Sequence, residues 1–487
     1  MDKQPLVSFY LPVYKKDPEI FRDCLNSLFS QSLKEIEVIC VFDGEDETLQ
    51  AVAKEFPKAV SVVVEHGGAP KARNAGLAMC SGKYVAAWDA DCRIKPDAAK
   101  RWIQEFDSDQ TIDFVYTGYE LTKEQGSFES ESFDRYSLEC GNFICSMSPV
   151  KREKAPRWDE DLDSAQDWDY WLTATEQGLK GAFIEGSAFI TPAPDPDSIS
   201  IKGLSGPKHD DIVAAIRAKH GVPEREIGVF STFYRDMGLK IAKILDADWI
   251  KPQGYTPTRY KTIFNFGYGW MSRFDGIAGD VTKIQYWLPG EIEGLSTRSY
   301  SIVKEVITNS KKVVNLCGTQ YEKNKLEDFG IDAEIVVLPL SKDDYSKISH
   351  DLPEEFTILV ATDKSYATLL KDLSIDLPHV KFKFNAAKTS EYSCFLSFYQ
   401  FAALDYAMLN ALVNGRHVIS NVTAPFTGFV DPDQTWEKFK AELYEKIRIV
   451  RGKPFNKEAQ DYYLQLTNPK VFVEKICSYR KPALEIV

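Results

Sequence analysis

The stretch HGGAPKARNAGLAMCSGKYVAAWDADCRIKP, residues 66–96, organises the first part of the chain. Two glycines and a proline near its start break regular structure, and residues 71–79 are predicted to form a short helix. The compact apolar run 84–88 is typical of a buried strand. Asp89 and Asp91 follow it on a predicted turn. Carboxylates at this spacing can face one divalent cation, because hard cations prefer oxygen ligands, but a solvated turn explains them equally well.

Length and composition restrict the class of protein. A chain of 487 residues is too long for one hydrophobic core, so two or three domains are expected. The net charge of −13 argues mildly against a protein that grips a phosphate backbone. Nine cysteines without a CxxC pair favour a reducing compartment. The sequence shows neither a signal-peptide pattern nor the roughly 20 apolar residues of a membrane helix, which predicts a cytoplasmic protein.

Strands and helices alternate at the beginning of the chain. Predicted strands at 6–11, 37–42, 60–64 and 84–88 are separated by predicted helices at 18–30, 45–55 and 71–79. This order predicts a parallel sheet covered on both faces, in which ligands bind at the carboxyl ends of the strands. Those ends carry Pro12, Tyr14, Asp43, Asp89 and Asp91. The sequence therefore predicts one binding site along this edge of the sheet.

A second acidic region follows. Residues 97–106 are predicted to be helical, 114–119 extended, and 139–147 a strand that passes through the site. The next predicted helix covers 168–176 and places Asp167 at its N-terminus, where the helix dipole stabilises a carboxylate. For Asp167 alone, a structural role at the start of the helix is the favoured interpretation.

Six motifs occur in order in this part of the chain: Pro12-Val13-Tyr14, Ser27-Leu28-Phe29-Ser30-Gln31, Phe42-Asp43-Gly44, Ala72-Arg73-Asn74-Ala75-Gly76 after a glycine turn, Asp89-Ala90-Asp91, and Gln166-Asp167-Trp168. With these motifs, residues 5–205 resemble the family 2 glycosyltransferases with a GT-A fold. The resemblance implies that Asp43 and the turn from Pro12 to Tyr14 hold a nucleotide base. It also implies that Arg73 and Asn74 lie near the sugar diphosphate.

The resemblance further implies the chemistry. Asp89 would face the ribose, and Asp91 would help to hold Mg²⁺ or Mn²⁺ on the diphosphate of a nucleotide-sugar, for which a UDP-sugar is favoured. The metal would assist departure of the nucleoside diphosphate. Asp167 would take the proton from the acceptor hydroxyl as general base, so that one displacement inverts the anomeric carbon.

Three departures from the family pattern stand out. Phe42 occupies a position where many relatives have aspartate, which puts base recognition in question. Gln166 replaces the usual glutamate and leaves Asp167 as the candidate base. Relatives often place a metal-binding histidine late in the domain, but residues 191–200 contain none. Asp195 or Asp197 would be its replacement, although a turn beside proline is the favoured interpretation of both.

The rest of the chain predicts a second α/β domain. We expect a glycosyltransferase domain over 1–205, a helical connector over 206–258 and a Rossmann-like domain over 259–487. Predicted strands cover 261–265, 283–288, 312–316, 334–338, 356–361, 380–384 and 417–420, and predicted helices cover 301–307, 320–329, 397–413 and 436–450.

Residues 320–340 and 404–421 give this half a weak similarity to the donor-binding half of GT-B glycosyltransferases. Those relatives usually have one glutamate where Asn410 aligns and another near Ala402, and neither is present here, so this half is expected to have lost donor chemistry. It would then serve acceptor binding, assembly or regulation.

The acceptor is not encoded in these motifs. A glycan, a lipid-linked sugar or a polymer precursor fits the resemblance, and a homo-oligomer is left open. The alternatives are a non-catalytic carbohydrate- or nucleotide-binding scaffold, a transferase with two active halves, and a transferase acting on a modified base. The net acidity argues against a nucleic-acid partner without excluding it.

Overall fold

The computed structural model describes residues 4–122, 126–128, 130–192, 207–231, 235–250, 260–267, 271, 277, 280–362, 373, 375–384, 388–398, 406–422, 424–431, 434–453 and 455–480. The chain divides into two compact units, Met1–Glu224 and Arg225–Val487.

A mixed sheet forms the centre of the first unit. Its described strands are β1 (Val7–Val13), β2 (Ile36–Asp43), β3 (Ala59–Val64), β4 (Tyr84–Ala87), β5 (Arg93–Ile94), β6 (Phe114–Leu121), β7 (Ser127–Phe128), β8 (Val150–Lys151) and β9 (Gly181–Thr191). Their order is β3-β2-β1-β4-β8-β6-β9-β5, with β7 beside β6. The first four strands in this order are parallel, so their carboxyl ends meet at one edge.

Helices cover both faces of this sheet. They are α1 (Pro18–Phe29), α2 (Glu47–Lys54), α3 (Ala69–Met79), α4 (Ala98–Ser108), α5 (Arg135–Cys140), α6 (Gln166–Glu176) and α7 (Pro207–Lys219). One face packs on a core that contains Phe9, Leu25 and Trp88, and the other on a core that contains Tyr10 and Trp171. This two-sided burial explains why β1, β2 and β4 are almost continuously apolar.

Close packing of α3 on the sheet accounts for the glycine of the Ala-Arg-Asn-Ala-Gly motif. A Cβ atom at Gly76 would lie 2.9 Å from Cβ of Tyr10 and 3.0 Å from Cγ2 of Val41. Both neighbours belong to the central strands β1 and β2. The absence of a side chain at residue 76 therefore lets α3 approach the strands whose ends carry the predicted site.

The predicted order of strands and helices up to residue 121 is confirmed, with shifts of a few residues at the ends. The strand predicted over 139–147 is wrong, because α5 ends at Cys140 and a loop follows. Asp134 caps that helix by accepting a hydrogen bond from the Ser137 N–H, 3.4 Å long. The side chain of Asn142 then holds the loop by accepting from the Ile144 N–H at 3.1 Å.

The second unit contains two parallel sheets among its described residues. The first has the order β11-β10-β12-β13-β14-β15 and the second has the order β17-β16-β18-β19-β20. The strands are β10 (Ile227–Ser231), β11 (Asp248–Ile250), β12 (Thr262–Phe266), β13 (Thr282–Tyr286), β14 (Val314–Cys317), β15 (Glu334–Ile335), β16 (Thr357–Thr362), β17 (Lys381–Lys383), β18 (Cys394–Phe398), β19 (His417–Ser420) and β20 (Thr427–Phe429).

The helices of this unit are α8 (Arg235–Leu245), α9 (Pro289–Leu295), α10 (Tyr300–Ser310), α11 (Gln320–Asp328), α12 (Lys342–Ser346), α13 (Tyr406–Val413), α14 (Trp436–Arg451), α15 (Lys457–Leu466) and α16 (Pro469–Ser478). Although α16 is last in the sequence, it packs on the first of the two sheets. Phe472 contacts Phe264 of β12 with ring centroids 6.1 Å apart. The chain thus returns to the first sheet after completing the second.

The second α/β fold predicted for this half is confirmed, but the prediction of one open sheet is wrong. Within the helical connector predicted over 206–258, β10 and β11 belong to the first sheet of the second unit. The helix predicted from residue 397 overlaps β18, and helix α13 is described from Tyr406. Short apolar runs such as IGVFS and CFLSF have no periodicity that separates a strand from a buried helical segment. The division at 205 and 258 stays a prediction.

None of the helices described here combines the length and the apolar character that crossing a bilayer requires.

Candidate functional site

The predicted site residues at the sheet edge lie on neighbouring strands. β1 pairs with β2 on one side and with β4 on the other. Tyr14 follows β1, Asp43 ends β2, and Asp89 and Asp91 follow β4. β1 pairs with β4 only as far as Tyr10. Pro12 lies beyond that point, so its missing N–H group removes no hydrogen bond to β4.

Asp43 is buried and organises the glycine turn before α3. Its Oδ1 accepts from the Gly67 N–H at 2.8 Å, and its Oδ2 accepts from the Gly68 N–H at 3.0 Å. Nδ1 of His66 lies 2.9 Å from the same Oδ2. The His66 ring stacks on Tyr14 with centroids 4.5 Å apart. Asp43 therefore fixes a platform of two partly exposed rings at the ends of β1 and β3.

The structure explains the departure at Phe42. Its side chain is fully buried and contacts Phe21 of α1 edge-to-face at 6.4 Å. Successive side chains of a strand point to opposite faces, so Phe42 enters the core while Asp43 turns to the other face of β2. Phe42 therefore belongs to the fold and lies outside the candidate site.

Arg73 connects Asp89 to the head of α6. Its Nη2 donates to Oδ1 of Asp89 at 3.0 Å, and its Nη1 donates to Oε1 of Gln166 at 2.9 Å. The guanidinium also lies over the ring of Trp158, 4.6 Å from the centroid. Trp158 is itself stacked on Tyr170 at 4.2 Å. The buried guanidinium of Arg73 thus joins the acidic turn after β4 to α6, the helix that carries Asp167.

Asn74, the neighbour of Arg73, makes its contacts inside the chain. Its Nδ2 donates to the Trp158 carbonyl oxygen at 2.9 Å and to Oε1 of Glu160 at 2.8 Å. Its Oδ1 accepts from the Trp158 N–H at 2.9 Å. These three bonds fasten the loop at residues 158–160 to α3.

Asp91 forms an ion pair with Lys16, which lies in the loop after β1. Burial by itself would lower the pKa of Lys16, but the charge and hydrogen bond of Asp91 outweigh it and raise that pKa. Oδ1 of Asp91 also accepts from Sγ of Cys92 at 3.5 Å. Among the residues that the structure describes, no group of three or more His, Cys, Asp or Glu side chains could hold a metal by itself.

Asp167 lies half-buried in the first turn of α6. Asn142 donates to its Oδ2 at 2.8 Å, and the Trp168 N–H donates to its Oδ1 at 3.0 Å. Loss of water around the carboxylate raises the pKa of Asp167, and the nearby charge of Arg73 opposes that rise. The preceding Ala165 has a φ of 52°, an uncommon value for a residue with a side chain, and it sets the start of the helix.

Histidine occurs late in this unit, and the structure places the ring of His220 against both the first and the last turn of α6. Nε2 of His220 lies 2.8 Å from Oδ1 of Asp169, and its Nδ1 lies 2.9 Å from Oε1 of Glu176. His220 is buried, and Lys219 also contacts Asp169 at 2.7 Å. These contacts assign His220 to a structural cluster. Asp195 and Asp197 lie outside the described residues.

Lys16, His66 and Asn142 were not identified from the sequence. A lysine in a loop, a histidine before two glycines and an asparagine after a short helix carry no motif of their own. Each contributes through a neighbour distant in sequence, namely Asp91, Asp43 and Asp167. In the second unit, Asn410 accepts at its Oδ1 from Asn414 at 3.1 Å, and Ala402 lies outside the described residues.

Comparison with known proteins adds an independent result. The family model for glycosyl transferase family 2 matches residues 8–153. TuaG of Bacillus subtilis strain 168, whose name assigns it to teichuronic acid biosynthesis as a glycosyltransferase, is 31% identical over 190 residues. That match covers 36% of this chain and 74% of TuaG.

Two further matches have lower sequence identity. Chondroitin synthase of Escherichia coli is 27% identical over 190 residues, which cover 37% of this chain and 28% of the synthase. The chain thus spans less than a third of that relative's length. A crystal structure of S. aureus TarS 1–349 in complex with UDP-GlcNAc is 17% identical, with a TM-score of 0.40, and covers 63% of this chain and 84% of TarS 1–349.

The family match falls on the sheet that carries Asp43, Asp89 and Asp91, and the predicted α/β fold class with a GT-A first domain is confirmed. TuaG, at 31% identity, is matched over most of its own length. The chain therefore belongs to glycosyl transferase family 2.

Proposed function

We propose that the chain is an inverting, metal-dependent glycosyltransferase that moves a sugar from a nucleotide diphosphate to an acceptor hydroxyl. The observation that carries the proposal is the bridge from Asp89 through Arg73 to Gln166, beside Asp167. This bridge brings the acidic turn that would hold the sugar donor next to the carboxylate that would activate the acceptor. We favour a UDP-sugar as the donor.

The base and ribose of the donor would lie at the ends of β1 and β2. Tyr14 is 42% exposed and stacked on His66, and the exposed part of its ring would contact a planar base. Asp43 positions this pair through His66. The backbone from Pro12 to Tyr14 continues β1 towards the same ring. Asp89 would accept from the ribose hydroxyls with the oxygen that Arg73 leaves available.

The residues at the acidic turn fit Mg²⁺ or Mn²⁺. Side-chain exposure is 36% for Asp89 and 26% for Asp91, and both offer the oxygen atoms that hard cations prefer. Magnesium is commonly held by one or two carboxylates together with substrate phosphates, so the set needs no third side chain. Bound at Asp91, the cation would neutralise charge on the departing nucleoside diphosphate.

Asp167 would accept the proton of the acceptor hydroxyl. Asn142 and the Trp168 N–H orient its two oxygens, and partial burial raises its pKa towards the range in which a carboxylate acts as a stronger base. Gln166 is occupied by Arg73, which leaves Asp167 to act at the head of α6. A hydroxyl activated there would attack the anomeric carbon on the face opposite the leaving group, and one displacement inverts its configuration.

For the acceptor we propose a glycan, a lipid-linked sugar or a polymer precursor. Two relatives are named for chondroitin and for teichuronic acid biosynthesis, which supports this class. The second unit would contribute to acceptor binding, assembly or regulation.

A binding and turnover screen tests the function. UDP-, GDP- and dTDP-sugars are each titrated with and without Mn²⁺, and release of the nucleoside diphosphate is measured. We expect one nucleotide class to bind, with Mn²⁺ strengthening the binding. Asp91→Ala is expected to remove the effect of Mn²⁺. Glu185→Ala serves as a control, because its side chain is exposed on β9 and is not part of the acidic turn.

The screen also separates the alternatives. A scaffold would bind a nucleotide-sugar without turnover, and that result would contradict the proposal. Turnover with one donor that depends on Asp167, together with turnover of a second donor that is lost only on changes in the second unit, would favour two active halves. Transfer to a modified base with no transfer to saccharide acceptors would contradict the proposed acceptor class.

A further inference from the structure

Lys16 lies where a cation at Asp91 has to bind. The loop after β1 brings its ammonium onto Oδ2 of Asp91, although 75 positions separate the two residues in sequence. Lys15, directly before it, has a φ of 46°, a left-handed conformation that is uncommon for a residue with a side chain. The backbone therefore turns sharply just where Lys16 leaves it. Both side chains of the pair are partly buried, at 35% and 26% exposure.

The pairing balances the charges of the acidic turn. Arg73 neutralises Asp89, and Lys16 neutralises Asp91. The two cations differ in mobility. Arg73 is 10% exposed at its side chain, stacked on Trp158 and bonded to Gln166, so its position is fixed. Lys16 has a flexible four-carbon stem and a point charge, so it can leave Asp91 and bind elsewhere.

A divalent cation and the Lys16 ammonium cannot share Asp91 without repulsion, because like charges at contact distance in a partly buried site repel strongly. An ammonium that leaves Asp91 needs another anion close by. A diphosphate bound beside Asp91 supplies that anion, and lysine binds phosphate oxygens well as a point charge.

We propose that Lys16 is the counter-ion of Asp91 in the enzyme without sugar donor, and that it moves to the donor diphosphate when a divalent cation occupies Asp91. The proposal rests on the function proposed above and adds a residue to it. Lys16 then couples the binding of the two ligands. The cation alone binds weakly, because it must displace the Lys16 ammonium from Asp91. With the nucleotide present the cation binds tightly, because the diphosphate binds the displaced ammonium. By reciprocity, the cation strengthens nucleotide binding by the same factor by which the nucleotide strengthens cation binding.

Binding of Mn²⁺ to the full chain, measured from the electron paramagnetic resonance signal of free Mn²⁺, tests this coupling. Wild type and Lys16→Met are each titrated alone and with UDP, GDP or dTDP. Without nucleotide, we expect Lys16→Met to bind Mn²⁺ about tenfold more tightly, within the usual range of coupling between sites. With Mn²⁺ present, we expect it to bind the nucleoside diphosphate about tenfold more weakly.

Lys15→Met is the matched control. It removes the same charge from the adjacent residue, whose ammonium lies 5.0 Å from the centre of the Tyr14 ring and not on Asp91. We expect its Mn²⁺ affinity without nucleotide to stay close to wild type. Lys16→Arg retains a charge and is expected to keep the low affinity for Mn²⁺ alone.

Two results would overturn the proposal in distinguishable ways. If wild type binds Mn²⁺ and a nucleoside diphosphate cooperatively and Lys16→Met does the same with equal affinities, Lys16 has no such role while the proposed function stands. If wild type binds none of the three nucleoside diphosphates with or without Mn²⁺, the proposed function fails together with this inference. Circular dichroism melting of each variant shows whether a changed affinity comes from a folded protein.

Discussion

Asn142 donates a hydrogen bond from its side-chain amide to Oδ2 of Asp167, 2.8 Å away. Asn142 lies in the loop after α5, and Asp167 lies in the first turn of α6. The other carboxylate oxygen accepts from the Trp168 N–H. Each carboxylate oxygen can accept more than one hydrogen bond, so this arrangement orients the group and leaves lone pairs for an acceptor hydroxyl.

We predict that Asp167→Asn lowers turnover by about 10²- to 10⁴-fold, the usual contribution of a general base. The substituted amide keeps the size of the side chain but cannot accept the proton. Donor affinity, measured by titration with the nucleotide-sugar and Mn²⁺, should stay near wild type. Unchanged turnover would contradict the assignment of Asp167 as the base.

The pH dependence of kcat/KM provides a second prediction. Burial raises the pKa of Asp167, so activity should be full above that pKa and fall as the pH drops through it. Asn142→Ala removes a donor that stabilises the charged carboxylate, which should raise the pKa further and move the acid limb to higher pH. Asn324→Ala serves as the control, because Asn324 accepts an exposed hydrogen bond from Gln320 on α11. This change should leave the acid limb of the pH profile where it is in wild type.

Arg73→Lys is predicted to impair both activity and stability. Lysine cannot bond Asp89 and Gln166 at once while stacking on Trp158, because it lacks the planar fork of arginine. We expect a loss of about 1–3 kcal/mol in unfolding free energy from the unpaired groups, together with a lower kcat. Urea unfolding and turnover measure the two effects. The exposed contact of Arg101 with the Glu185 carbonyl offers the matched Arg101→Lys control.

The first sheet could be predicted from the sequence because the patterns that indicate its strands are local. The predicted strands followed by Pro12, Asp43 and Asp89 are apolar runs closed by turn residues, and parallel order alone places their ends together. The departure at Phe42 was visible in the sequence, and strand alternation explains its burial in the core. Its consequence for base recognition stays a prediction. The ion pair of Lys16 and Asp91 could not be predicted from the sequence, because charge pairing between two loops leaves no periodic pattern.

In the second unit, several strands could not be predicted from the sequence for a different reason. β10, β11 and β18 are short, and their burial on both faces removes the alternation that identifies a strand. In the first unit, the prediction of a strand over 139–147 was wrong for a related reason, since the apolar residues Phe143 and Ile144 pack into the core from a loop. Tertiary burial, and not strand pairing, explains why those residues are apolar.

Asn74→Ala tests whether the resemblance assigns this residue correctly. Its amide makes three hydrogen bonds to the loop at Trp158 and Glu160, so we expect a loss of about 1–3 kcal/mol in unfolding free energy. KM for the nucleotide-sugar should change less than in Arg73→Lys. A raised KM at unchanged stability would instead support contact of Asn74 with the diphosphate.

His220 is predicted to make stability depend on pH. Both ring nitrogens face carboxylates, Asp169 and Glu176, and only the imidazolium can donate to both. Burial alone would lower the pKa of His220, but these two partners outweigh it and raise that pKa, while Lys219 beside Asp169 opposes them. The stabilisation is therefore complete below the unfolded pKa of about 6.5 and is lost as the pH rises through the folded value.

Thermal unfolding of the full chain at several pH values from 6 to 9 measures this effect. We expect Tm of wild type to fall with rising pH more steeply than Tm of His220→Gln, whose neutral amide cannot titrate. The two proteins should differ most at the acidic end, where the imidazolium bonds to Asp169 and Glu176 are intact. His379→Gln, at an exposed histidine of the second unit, is the matched control and should follow wild type. Parallel curves for wild type and His220→Gln would show that folding does not raise the pKa of His220.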